Sequence, residues 1–140
     1  TAPLWKQWKA SLGPREFGAL RVWRAGAVVS PTRMAKVRDT TCPFCAAERA
    51  SARHLWADCP HFNELRAKLQ EEVGVDPGWW SRQPPCTAKS GWVTFDAAST
   101  HKGRVAVAIA ANKLGIEVVM ALGIAHTETS RTGTAGRRAA

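Results

Sequence analysis

Thr41-Cys42-Pro43-Phe44-Cys45, followed by His54-Leu55-Trp56-Ala57-Asp58-Cys59-Pro60-His61-Phe62, is the stretch that decides how the rest of the chain is read. Three of the 4 cysteines and one of the 4 histidines fall in a single window, Cys42-x2-Cys45-x8-His54-x4-Cys59. A Cys-x2-Cys turn aims two sulfurs at a common point, and His54 with Cys59 supplies a second arm. The window therefore predicts a tetrahedral Cys3His site for one Zn²⁺. Pro43 stiffens the first turn by fixing φ, and Pro60 closes the loop before the next helix. Four protein ligands leave no open position, so the zinc is expected to be structural. Arg49 and Arg53 are expected to offset the negative charge of three thiolates around one dication. His61 is an alternative to His54, although it lies beyond Pro60 at the start of a helix. A redox pair at Cys42 and Cys45 would need a strand-then-helix context, which is missing here. Cys86, between Pro85 and Thr87, reads as a free thiol.

Downstream of the window, residues 61–73 carry Phe62, Leu65, Leu69 and Val73 on one stripe. Glu64, Arg66, Lys68, Glu71 and Glu72 are expected to face water, with Gly74 as the stop. Upstream, Leu4, Trp5, Trp8 and Leu12 share a face ahead of Gly13, which predicts a first helix. Phe17, Leu20 and Trp23 predict a second over 15–27. Ser30-Pro31-Thr32 reads as the cap of a third short helix through Val37. Residues 74–101 hold Trp79-Trp80, Pro84-Pro85 and Trp92, and read as an irregular connection with one short strand at Trp92–Phe95. Lys102 to Ala125 is a long apolar helix with Lys113 and Glu117 on a narrow polar stripe. Residues 126–140, rich in Thr, Gly and Arg, read as a disordered basic tail. The fold class is thus mainly α: a small helical domain with a Cys3His zinc-binding loop and a long C-terminal helix. Four segments organise it, namely a basic helical segment with the zinc module (1–73), the Trp/Pro-rich connection (74–101), the apolar helix (102–125) and the tail (126–140).

The window resembles the zinc-binding domain that follows the polymerase in non-LTR retrotransposon reverse transcriptases. That family's pattern is Cys-Pro-x-Cys, an acidic spacer met here by Glu48, then His-Leu-x-x-x-Cys-Pro leading into a helix. Leu20-Arg21-Val22-Trp23-Arg24-Ala25-Gly26 and Pro31-Thr32-Arg33 resemble its preceding helix, turn and Pro-Thr-Arg segment. The resemblance covers about residues 15–73 and implies a nucleic-acid-associated module. The polymerase itself is absent, and residues 74–140 are not covered, which fits a piece serving as a subunit of something else.

Composition points the same way. The chain has 140 residues, a net charge of +9 and 7 Trp with no Tyr. Residues 1–41 are net +6 and residues 102–140 net +4, bracketing a neutral middle. Such charge attracts polyanions, and more of it lies in residues 1–41 than solubility requires. Arg33, Lys36 and Arg38, just ahead of the zinc loop, are the expected contacts to an RNA or DNA phosphate backbone. The tryptophans at helical spacing are read as core, with the interleaved Lys and Arg solvated.

The four Asp are isolated, a Gly-x-Ser-x-Gly elbow is absent, and Gly133-Thr134-Ala135-Gly136 lacks the Lys of a phosphate loop, so no enzymatic activity is expected. The apolar run from Val105 to Ala125 is broken by Asn112, Lys113 and Glu117, so no membrane span is expected. An alternative function is an accessory structural subunit of a large ribosomal or other organellar assembly, with a protein partner covering Val105 to Ala125. No targeting segment is legible; an intracellular setting, nucleus or organelle, is expected.

Overall fold

The computed structural model describes residues 2–33, 39–92 and 101–139. It is mainly helical, and no strand occurs among the described residues. Helix α1 spans Ala2–Ser11 and α2 spans Pro14–Arg24, with Pro14 in the first turn, where its missing N–H costs nothing. A π-type turn, His54–Asp58, and a 3₁₀ turn, Pro60–Phe62, lead into α3, Asn63–Val73. Two short helices, α4 (Trp79–Arg82) and α5 (Pro85–Ser90), come next, and α6 runs from His101 to Ala139.

Helix α6 is the spine. It packs on α2, α3, α5 and the π turn. Trp23 from α2, Trp56 from the π turn and Trp80 from α4 are all buried, in one core with Ala110, Ala111, Leu114 and Val118 of α6. Trp56 stands edge-on to Trp80 at 4.9 Å, and its Nε1 donates to the Ala111 carbonyl at 3.1 Å. The close approach depends on small residues along α6. A Cβ at Gly115 would overlap the Trp23 indole. Ala19, Leu20 and Ile116 form a second cluster, with Trp8, Leu12 and Phe17 packed against it. The tryptophans of α2 and the π turn are therefore core residues, as the helical spacing of Trp23 predicts.

Several expectations are corrected. Residues 79–90 are not irregular: Pro85 is the first helical position of α5, and Gly91 at φ 71° is its left-handed stop. The prolines and glycines that suggest a loop thus serve as helix boundaries. No strand begins at Trp92; the remainder of the expected strand lies outside the described residues. Pro31–Arg33 form a turn, and the rest of the expected third helix lies outside them too. Helix α6 continues to Ala139 rather than giving way to a disordered tail after residue 125. Residues 101–139 contain no proline, and an established helix extends at the cost of one residue per hydrogen bond gained. In the 61–73 helix, Phe62 and Leu69 are buried, whereas Leu65 is half-buried. The Leu4 and Trp5 side chains lie outside the described residues.

Lys102–Thr127 is long and apolar enough to cross a membrane by length and composition, because two or fewer charges in a window leave its mean hydropathy high. Here 44% of its most apolar window is buried inside the protein. The chain itself covers Ala110, Ala111, Leu114, Ile116, Val118 and Leu122.

Candidate metal centre

The first arm of the site is a tight turn. Cys42 N–H donates to the Ala47 carbonyl at 2.8 Å, and Ala46 N–H donates to the Cys42 carbonyl at 3.0 Å. Closing the turn puts Ala46 at φ 64°, the only non-glycine residue at positive φ among those described. The two flanks are tied together: Ala50 N–H donates to Thr40 O at 2.9 Å, and Thr40 Oγ1 to Glu48 O at 2.8 Å. Asp39 caps the start by accepting from Thr41 N–H and Oγ1, which holds its carboxyl below the usual range.

The second arm solves a phase problem. Cys59 follows His54 by five positions, which on an α-helix would leave their side chains about 140° apart. The segment instead forms a π-type turn, with Cys59 N–H donating to the His54 carbonyl at 2.7 Å, and the wider turn absorbs the extra residue. Ser51 Oγ accepts from His54 N–H at 3.1 Å and fixes the start of that turn.

The two arms bring Cys42, Cys45, His54 and Cys59 close enough to hold one metal ion, their ligand atoms all within 4.8 Å of one another. Cys42 Sγ and Cys59 Sγ are 3.8 Å apart, and Cys45 Sγ lies 3.3 Å from His54 Nε2. Two sulfurs bound tetrahedrally at ~2.3 Å would stand about 3.8 Å apart, so the donor set fits a tetrahedral ion. Cys42 and Cys59 are buried, while Cys45 and His54 are half-buried. Desolvation pushes the Cys59 thiol up to about 12 and draws His54 below its ordinary value. A backbone N–H from Ala47 draws Cys45 down. The lowered His54 favours the neutral imidazole that a metal requires, while burying Cys59 as a thiolate calls for a cation beside it.

His61 does not enter the cluster. Its ring is exposed and stacks on Phe44 at 4.6 Å, while Phe44 meets Phe62 edge-on at 5.4 Å. These contacts clamp the first arm to the start of α3. Cys86 is exposed and lies apart from the ligand set.

Sequence reasoning misplaces Arg66. It is only 4% exposed, and its guanidinium donates to Trp56 O and Asn63 Oδ1, each at 2.9 Å, to Leu55 O at 3.5 Å and to Cys59 O. It thus satisfies carbonyls that the π turn leaves open, and it puts a cation beside the ligand loop. Burial lowers its pKa, opposed by the Cys59 thiol and the Asp58 carboxylate. Arg53, expected to balance the site, is instead drawn to the Ser81 carbonyl at 2.9 Å and to Asp58 at 3.7 Å. A signal for Arg66 is present in the sequence: Phe62, Arg66, Leu69 and Val73 recur at 4, 3 and 4 residues, placing Arg66 on the buried stripe.

Of the expected phosphate contacts, Arg33 is exposed and donates to Gly26 O at 3.0 Å and Val28 O at 3.5 Å, while Lys36 and Arg38 lie outside the described residues. No family model, curated protein or solved structure matches the chain.

Proposed function

We propose that the chain is a noncatalytic module that holds one structural zinc ion through Cys42, Cys45, His54 and Cys59 and contacts the phosphate backbone of nucleic acid. The observation that carries the metal part is the four-donor cluster, with its spacings and its donor chemistry. Three sulfurs and one imidazole favour zinc over hard cations, and four protein donors fill a tetrahedral shell, so nothing is left for a substrate. The nucleic-acid part draws on the charge of residues 1–41 and on the resemblance to the reverse-transcriptase zinc domain. Arg33, Lys36 and Arg38 lie just ahead of the loop in the sequence.

The test is a salt titration of oligonucleotide binding. Log affinity falls linearly with log salt, and Arg33→Ala/Lys36→Ala/Arg38→Ala lowers the slope by about 1 for each phosphate that the variant no longer neutralises. An unchanged slope removes these three residues from the interface.

A second reading, an accessory subunit of a large ribosomal or other organellar assembly docked through α6, draws support from Ile124, which is 50% exposed beside Val119 and Met120. It predicts weak binding indifferent to those three basic residues, and assembly that fails on Ile124→Asp.

A further inference from the structure

Trp92 is the most exposed large apolar side chain among those described, at 55%, and one face of its indole is already occupied by a cation. The Arg24 guanidinium carbon stands 3.9 Å from the ring centroid. Arg24 does not swing freely, because its Nη1 donates to the Gly91 carbonyl at 3.1 Å. The backbone of Trp92 is fixed as well: its carbonyl accepts from Thr87 Oγ1 at 2.5 Å. Gly91 must be glycine here, since its φ is 71° and a Cβ would collide with Asn112 and the Trp23 indole. A large ring is thus pinned at the surface with a cation under it, an arrangement that gains little as core packing.

The described segments that carry Arg24 and Trp92 are basic. The last turns of α2 carry Arg21 and Arg24, α5 carries Lys89 in its final turn, and Arg33 is tied back to the Gly26 carbonyl just past α2. Residues 18–33 and 85–92 hold these four basic residues and no acidic one. An exposed ring backed by a cation, on segments whose described residues carry only basic charge, suits a ligand with a flat π-face and a negative backbone better than an apolar protein surface. Duplex DNA hides its base faces, whereas single strands offer them.

We propose that Trp92, backed by Arg24 and flanked by Arg21, Arg33 and Lys89, is a stacking platform for one base of single-stranded nucleic acid. The base takes the ring face opposite Arg24, and Arg21, Arg33 and Lys89 follow the phosphates on either side. This rests on the nucleic-acid reading above and names the form of nucleic acid that it binds.

The test compares binding of a labelled oligothymidylate of about 15 nucleotides with that of a duplex of equal length. Trp92→Ala is expected to weaken oligothymidylate binding about ten- to a hundred-fold, with the salt slope unchanged because no phosphate partner is removed. Trp92→Phe recovers most of that affinity, and duplex binding stays as in the wild type. Arg24→Ala weakens oligothymidylate binding by releasing the ring, whereas Lys89→Ala lowers the slope. Zinc content and amide-exchange protection of Trp92→Ala should match the wild type, which separates a stacking role from a structural one. Oligothymidylate binding by Trp92→Ala equal to that of the wild type overturns the platform and leaves the phosphate-contact reading standing. Equal weakening on single strand and duplex also overturns it. A wild type that binds neither overturns both.

Discussion

The ligand loop and the tryptophan core touch each other but are held by different physics. In residues 39–62 the backbone turns sharply, puts Ala46 in the left-handed region and ties its polar groups to Asp39, Thr40, Ser51 and Arg66. Its two most buried cysteines face each other at 3.8 Å. In the core, α2 and α6 are regular helices brought together by Trp23, Trp56, Leu114 and Val118, all essentially without solvent exposure. The loop is a set of directional bonds aimed at one point, while the core is area removed from water plus close packing. The first fails when a single donor is removed, the second only by degrees.

Removing the metal should separate the two regions most widely. Binding free energy of structural zinc is about 10–16 kcal/mol in small zinc-finger peptides, and most of it is folding free energy. Chelation, or Cys59→Ala, is expected to abolish stoichiometric zinc and to strip amide protection from residues 39–62. Slow exchange should persist in α2 and in the middle of α6, where burial does not depend on a thiolate. Hydrogen exchange followed by mass spectrometry checks this. Protection that disappears everywhere would mean that the metal folds the whole chain and that the division is false.

Arg66 is the next test, because it belongs to α3 but serves the loop. Arg66→Met keeps an apolar stem yet leaves the Leu55, Trp56 and Cys59 carbonyls without that donor. Buried acceptors deprived of a charged partner put the destabilisation at about 3–5 kcal/mol. Lysine should recover only part, since a compact ammonium cannot reproduce the planar fork that reaches several carbonyls. The drop should appear both as a lower urea midpoint and as easier removal of zinc by a chelator. A full drop in stability with chelator resistance intact would place Arg66 with the core instead.

What the sequence reveals follows the same division. The four candidate ligands lie close together along the chain, so their spacing alone points to one site, and the structure gathers all four close enough to hold one ion. The phase of His54 and Cys59 is corrected only by a π turn, which no residue pattern announces. Arg66 reads as solvent-facing because arginines ordinarily are, although its position on the Phe62–Leu69–Val73 stripe puts it inside. The core is legible as helices and apolar faces but not as partners. Trp23 meets Gly115, and Trp56 meets Ala111, across long stretches of chain. Such pairings depend on how helices cross, which periodicity does not encode. Trp92 is visible in the sequence only as an aromatic in a Pro-rich stretch; its cation and its exposure are products of the fold.

Gly115→Ala tests whether the core is as forgiving as burial by area implies. On propensity alone the substitution stabilises a helix interior by about 0.8–1 kcal/mol, and a loosely packed core would show that gain. In this structure the new methyl overlaps the buried Trp23 ring, which has little room to withdraw. Trp23 is stacked on Trp56 at 6.4 Å, and its Nε1 side faces Gly91 and Asn112. Overpacking of this kind costs about 1–3 kcal/mol, so the helix-propensity gain is outweighed or cancelled. The expected result is a net destabilisation of about 1 kcal/mol, a fall of roughly 2–4 °C in Tm for a chain of this size. Zinc affinity should stay unchanged, because Gly115 touches no part of the ligand loop. A stabilised variant would show that Trp23 can shift aside and that close packing against α6 is not what positions α2. A variant that binds zinc more weakly would show that core and loop are mechanically coupled through the Trp23–Trp56 stack.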